Sequence, residues 1–283
     1  MPQPIEGLRP LADTVDAFVL DLWGVVHGGQ APFPGVVETL QALRAAGKPI
    51  AFVTNAPVRA HHVAAHLRSM GLGEAYDALV TSGEATYERL SEAYAGGRYL
   101  PVGPSWAKLL HDELPLTAAG DVAEADVLLV VGLDEQRPEP EQYDAELQAA
   151  RARDLPLICA NPDRVIVVQD GTYSWCAGAL ADRYVALGGR VEWMGKPDPA
   201  IFARAAGMVG VTDPSRVAVV GDGLPTDIAG ANAYGAKSVL ITRGIHARDL
   251  GIQPGEVAAV GALRDLVGRH GFNPDYALAS LAW

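Results

Sequence analysis

The feature that most constrains this chain is a series of short apolar runs, each reading as buried on both faces and each ending in polar residues. The first is Phe18-Val-Leu-Asp-Leu-Trp-Gly-Val-Val26. Its β-formers deliver one carboxylate, Asp21, and a turn becomes easy at Gly24. Apolar residues on both sides of the pleat indicate a strand of a parallel sheet covered by helices on both faces. Open sheets of that kind bind ligands beyond the carboxyl ends of their strands, which is where Asp21 would stand. Taken alone, Asp21 reads as the cap of a turn. Three other strand ends with matching chemistry change that reading.

An amphipathic helix is expected over Val36–Ala46, stopped by Gly47. A second buried strand follows, Ile50-Ala-Phe-Val-Thr-Asn55, then a helix from Val58 to Met70 and a third strand, Leu79–Gly83. This β-α-β-α rhythm predicts parallel strands with right-handed crossovers. From Tyr99 to Arg190 the alternation continues without the polar strand ends. Strands are expected at 99–102, 127–131, 157–160 and 165–168, with helices over 106–113, 141–153 and 175–187. Asp170-Gly171 reads as a hairpin turn. The first rhythm then returns. Asp198-Pro199 opens a helix over 200–208, Arg216–Gly221 is a strand closing on Asp222 to Asp227, and Lys237–Thr242 is a last internal strand under a helix over 257–269. The expected organisation is an α/β core of residues 1–83 and 191–283, interrupted by an inserted α/β domain at 84–190.

With 283 residues, 49% of them hydrophobic, the chain can bury a substantial core. A net charge of −12 argues against a nucleic-acid or anionic-membrane surface. Cys159 and Cys176 have no metal-ligand spacing and read as buried, reduced thiols. The first ten residues lack the apolar core of a signal peptide, and the longest apolar runs are too short to span a bilayer. A soluble, cytoplasmic protein is expected.

Four loop positions therefore carry Asp21, Thr54-Asn55, Lys196 and Asp222 with Asp227. Two carboxylates from different strand ends can hold one Mg²⁺, which commonly takes one or two protein carboxylates, waters and substrate phosphate. A lysine beside them offsets charge on carboxylate and phosphate alike. A hydroxyl and a backbone N–H at a strand end can hold phosphate oxygens. Singly, each has a plainer reading: Thr54-Asn55 as a cap, Lys196 as a solvated charge, Asp227 as a helix N-terminal complement.

Together the residues Asp21-Leu-Trp-Gly24, Val53-Thr54-Asn55, Gly195-Lys196-Pro197 and Gly221-Asp222-Gly223 with Asp227 resemble the haloacid-dehalogenase-like hydrolase superfamily. Asn161-Pro-Asp163 and Ala177-Gly-Ala-Leu180 resemble its subclass IIA, whose large α/β cap is found in nitrophenyl-, phosphoglycolate- and pyridoxal-phosphate phosphatases. The resemblance implies a Rossmann-like core with an inserted cap and a Mg²⁺-dependent phosphatase of a small phosphorylated metabolite. It implies that Asp21 attacks phosphorus to form an aspartyl-phosphate. Mg²⁺ would lie on Asp21, Asp222 and the backbone carbonyl of Trp23, with Asp227 in or near that shell. Thr54 and the N–H of Asn55 would hold the phosphoryl group, and Lys196 would neutralise it. Relatives with this cap often pair through it, so a homodimer is expected.

One position departs from the pattern. The family's phosphatases carry a second aspartate two residues after the nucleophile, to protonate the leaving alcohol, and here that residue is Trp23. General acid–base catalysis contributes about 10²–10⁴-fold, so turnover should become selective for acidic leaving groups. His27 is the candidate substitute acid; the alternative is that it only lines its loop. Asn161 and Asp163 are candidates for reading the substrate, with a simple turn as the alternative. The competing functions are a phosphometabolite-binding protein without turnover and a relative performing non-phosphatase chemistry. A phospho-receiver module conflicts with the inserted domain. A dehydrogenase conflicts with the absence of Gly-x-Gly-x-x-Gly after a strand.

Overall fold

A computed structural model describes residues 2–167, 172–253 and 256–283. By contacts the chain forms two compact units. The first comprises Met1–Thr54, Ala64–Val80 and Lys196–Trp283; the second comprises Asn55–Val63 and Thr81–Gly195. The segment Asn55–Val63, expected with the core, is held by partners in the second unit. Thr81 Oγ1 donates to the Val58 carbonyl at 2.8 Å, and the Arg59 guanidinium pairs with Glu84 and Glu113, each at 2.9 Å.

The first unit is built on a seven-stranded sheet. Its order is Gln3–Pro4, Tyr276–Leu278, Lys237–Ile241, Val217–Gly221, Ala17–Leu20, Ile50–Thr54 and Ala78–Thr81. The pairings from Gln3–Pro4 through Ile50–Thr54 are parallel. The chain runs outward from Ala17–Leu20 on one side, then re-enters on the other at Val217–Gly221. The strand order thus reverses between these two strands, at the kind of switch point where α/β sheets open a crevice. Register aligns Leu20 with both Val220 and Phe52, so Asp21, Asp222 and Thr54 all emerge at the carboxyl edge of the sheet.

Every residue of Ala17–Leu20, Ile50–Thr54 and Val217–Gly221 is buried, as continuous apolar runs require of a sheet covered on both faces. One core gathers Val19, Ala51, Val53, Val217 and Val219 under Ile201, Phe202, Ala205 and Ala206 of helix Pro199–Met208. Asp198 caps that helix by accepting the Ala200 N–H at 2.9 Å, with Pro199 at its first position. Another core sets Leu240 and Ala277 against Leu263, Leu266 and Val267 of helix Val260–His270, which starts three residues later than expected.

The second unit has a five-stranded parallel sheet: Val191–Trp193, Leu157–Cys159, Val127–Val130, Arg98–Val102 and Thr117–Ala118. Alternate residues serve opposite faces. Leu128 and Val130 pack with Tyr143, Leu147, Leu180 and Tyr184, while Val127 and Leu129 pack with Leu90 and Leu110. Three expected helices differ at their ends. Residues 106–113 form a 3₁₀ turn at Ser105–Ala107 and a short helix at Lys108–His111. Residues 141–153 form a 3₁₀ turn at Pro140–Tyr143 and then a helix at Asp144–Ala152. Trp175 belongs to the strand Tyr173–Trp175, paired antiparallel with Val165–Val167, and the helix begins at Ala177. Val168 and the expected turn Asp170-Gly171 lie outside the described residues. Among the described residues no helix is long and apolar enough to cross a membrane.

Phe202 is fully buried against the switch-point strands. Phe202→Ala is expected to cost about 3–5 kcal/mol, read as a lowered midpoint in urea unfolding.

Candidate active site

Three carboxylates of the first unit converge at the carboxyl edge of its sheet. Asp21, Asp222 and Asp227 are all buried, and each offers a ligand oxygen within 4.8 Å of the others. Asp21 follows strand Ala17–Leu20 directly, its N–H still bonded to the Val220 carbonyl at 2.9 Å. Asp222 directly follows the neighbouring strand Val217–Gly221. Asp227 lies in a widened π-type turn, Leu224–Ile228, where the Ile228 N–H reaches back five residues to the Gly223 carbonyl at 3.1 Å. Such turns are rare and recur at functional sites.

Lys196, only 3% exposed, joins the group. Its ammonium donates to Asp21 Oδ1 at 2.6 Å and to Asp227 Oδ1 at 2.8 Å. The other oxygen of Asp227 accepts the Gly223 N–H at 3.0 Å. Asp222 Oδ2 accepts the Ile245 N–H at 2.8 Å. Burial, then Asp21 and Asp227, push the Asp222 carboxyl well above the usual carboxylate range, while the Ile245 N–H and Lys196 pull it down. With all three acids ionised, one ammonium leaves two negative charges, which one divalent cation would balance. The donor set is all oxygen, as Mg²⁺ prefers. Two close backbone approaches shape the cradle: a Cβ at Gly24, whose φ is +84°, or at Gly244 would run into the Asp222 carboxylate. The residues present fit a small hard dication.

The remaining expected residues divide by unit. Thr54 is the buried last residue of its strand in the first unit. Trp23 is half-buried in the same unit and forms an isolated backbone bridge to His27, with the two rings edge-on at 6.0 Å. His27 is buried, and burial, aided by His66, pushes its imidazole down to about 4. Its Nδ1 accepts the Gly29 N–H at 3.1 Å. Asn55 belongs to the second unit, where its amide donates to Asp163 Oδ1 at 2.9 Å. Asn161 Oδ1 accepts the Asp163 N–H at 3.0 Å, an Asx turn that sets Asp163 to hold Asn55.

Sequence reasoning missed the segment Gly244-Ile245-His246. It holds Asp222 through Ile245, and the buried His246 accepts the Leu224 N–H on Nε2 at 3.1 Å. Burial and then His270 push the His246 imidazole down to about 4, which keeps it neutral and able to accept. The available signal was a glycine just beyond the strand adjacent to the one that ends in Asp222.

A profile described as haloacid dehalogenase-like hydrolase matches residues 18–114, and one described as HAD-hydrolase-like matches residues 193–267. A haloacid dehalogenase-like hydrolase of Brucella suis is 35% identical, with a TM-score of 0.83 over 98% of this chain and 100% of its own. The chain belongs to the haloacid dehalogenase-like hydrolase family. It is similar to an acid sugar phosphatase of Staphylococcus aureus, 28% identical over 81% of this chain and 87% of that protein. It also resembles a glycerol phosphate phosphatase of Mycobacterium tuberculosis solved in complex with magnesium. That chain is 30% identical, with a TM-score of 0.65 over 85% of this chain and 71% of its own. As a family member the protein is a hydrolase with an α/β fold.

His246→Ala would leave the buried Leu224 N–H without its acceptor. A loss of about 1–3 kcal/mol is expected, measured by denaturant unfolding against His246→Gln, whose amide oxygen can accept in its place.

Proposed function

We propose that this hydrolase is a Mg²⁺-dependent phosphatase of a small phosphorylated metabolite, working through an aspartyl-phosphate on Asp21. The observation that carries the reading is the Lys196 ammonium bridging Asp21 and Asp227 beside Asp222, all buried at the switch point of the sheet. The phosphatase relatives support the reaction class.

In this reading a carboxylate oxygen of Asp21 attacks phosphorus, forming a P–O bond to the carboxylate as the ester P–O bond breaks. Lys196 offsets negative charge on Asp21 and on the incoming phosphoryl group. Thr54 and the Asn55 N–H supply donors to the phosphoryl oxygens. Stabilising the transferring group in this way dominates phosphoryl transfer. Asp21, Asp222 and the Trp23 carbonyl would hold Mg²⁺, which neutralises charge on the phosphate when bound. Asp227, with one oxygen on Lys196 and the other on the Gly223 N–H, acts by fixing the lysine and its loop. Water then hydrolyses the aspartyl-phosphate, and splitting one displacement into two is the gain.

The leaving alkoxide needs a proton that Trp23 cannot give. His27 does not replace it near neutral pH: its imidazole takes a proton only at about 4 and below, and Nδ1 is already an acceptor. The reading is therefore a phosphatase selective for acidic leaving groups. Trp23 also favours a second reading, a phosphometabolite-binding protein that has lost turnover.

Steady-state phosphate release from an aryl phosphate separates the two. Wild type with Mg²⁺ is expected to turn over, to stop on chelation, and to lose about 10⁴-fold or more in Asp21→Asn. Ligand binding without any product would support the second reading. Trp23→Asp is expected to raise turnover of alkyl phosphates by about 10²–10⁴-fold. A folded, Mg²⁺-binding variant with no gain would count against the account of the leaving group.

A further inference from the structure

The second unit carries a cluster that the chemistry above does not use. His61 and His62 lie in the first turn of helix Ala60–Ser69, and Glu113 follows helix Lys108–His111. His61 Nε2 is 3.1 Å and His62 Nε2 3.0 Å from the same oxygen, Glu113 Oε1. The two imidazole rings lie 4.1 Å apart between centroids. All three ligand atoms fall within 4.8 Å of one another. A tetrahedral zinc with bonds of about 2.0–2.1 Å to nitrogen and oxygen sets its donors about 3.3 Å apart. The observed N···O separations need to open by only about 0.2–0.3 Å to meet that spacing.

The carboxylate is also oriented from behind. Arg59 donates through Nη1 to the other oxygen, Glu113 Oε2, at 2.9 Å. Arg59 is itself fixed by Glu84, through Nε at 2.9 Å and Nη2 at 3.0 Å, and lies 3.6 Å over the Tyr87 ring. A ligating carboxylate held by such an outer partner is characteristic of built metal sites. Glu84 offsets the guanidinium charge, so Glu113 keeps its negative charge for a cation. His61 is 58% exposed, which gives an ion a path in and leaves a fourth position to water.

We infer that His61, His62 and Glu113 form a binding site for a zinc-like transition-metal dication. Two imidazoles and one carboxylate suit Zn²⁺, Ni²⁺ or Cu²⁺, whereas Mg²⁺ prefers the all-oxygen donors of Asp21, Asp222 and Asp227. The two donor sets thus sort hard and borderline cations. Thiolates do not compete: both cysteines are buried, and burial pushes the Cys159 thiol up to about 12 and the Cys176 thiol higher still. A bound ion would tie the segment that starts at Asn55 to the end of helix Lys108–His111, inside one unit.

The test is a Zn²⁺ titration by calorimetry of the tag-free full chain in excess Mg²⁺, with Co²⁺ absorption as a second readout. One equivalent of Zn²⁺ should bind despite the Mg²⁺, and Co²⁺ should show tetrahedral d–d bands that Zn²⁺ removes. The double variant His61→Ala/His62→Ala should bind at least about 100-fold more weakly, with circular dichroism unchanged. Glu113→Gln keeps the shape of the side chain and should weaken binding about 10-fold or more. Absence of a Zn²⁺ equivalent beyond what Mg²⁺ displaces would overturn the inference. So would unchanged affinity in the double variant, since the contacts would then be hydrogen bonds between imidazole and carboxylate and nothing more.

Discussion

A buried ammonium shared between two carboxylates is the interaction on which the first unit's loops depend. Lys196 arrives just before helix Pro199–Met208, Asp21 from one strand end and Asp227 from the turn after another, and the ammonium links them at 2.6 and 2.8 Å. Buried ion pairs seldom add net stability, yet removing one partner costs about 3–5 kcal/mol because a bare charge is left behind. Here one ammonium faces three acids, and the imbalance falls on Asp222, whose carboxyl is driven upward by burial and by its two neighbours. A core selected for stability alone would not keep that surplus. The dication proposed for this site would balance it.

The same economy governs how the acids are aimed. Parallel register brings the carboxyl ends of Ala17–Leu20 and Val217–Gly221 level at the point where the strand order reverses. Asp222 then fits only because the backbone closes on it at Gly24 and Gly244, neither of which has room for a Cβ. His246 completes this by staying neutral: a protonated imidazole could not accept the Leu224 N–H, and burial removes that risk at ordinary pH. Outer contacts of this kind set the precision of an active site.

Trp23 and His27 form the chemically silent side of the loop. The tryptophan keeps its backbone carbonyl but brings no titratable proton, and the histidine beside it is held neutral with Nδ1 occupied. A phosphatase built this way would rest on charge stabilisation of the phosphoryl group and on the acidity of the leaving alcohol.

The α/β class was legible in the chain because continuous apolar runs and helical stops are local signals, and the family because the motif residues around Asp21, Thr54, Lys196 and Asp222 resemble it. The strand ends at Asp21, Thr54 and Asp222 were legible for the same reason. Strands Gln3–Pro4 and Tyr276–Leu278 were not: two and three residues carry no periodicity, and their place is set by pairing and, for Ala277, by packing against the last helix. Nor was the cluster of His61, His62 and Glu113, since the adjacent histidines stand far from Glu113 in sequence and meet it only through the packing of Asn55–Val63. Sequence alone determined which residue types sit at which strand ends, since short-range patterning encodes it. Only the tertiary structure decided that Lys196 would bridge two acids, that Asp163 would hold Asn55, and that Gly244 to His246 would support Asp222. Those pairings depend on strand order and loop closure, which no local pattern specifies.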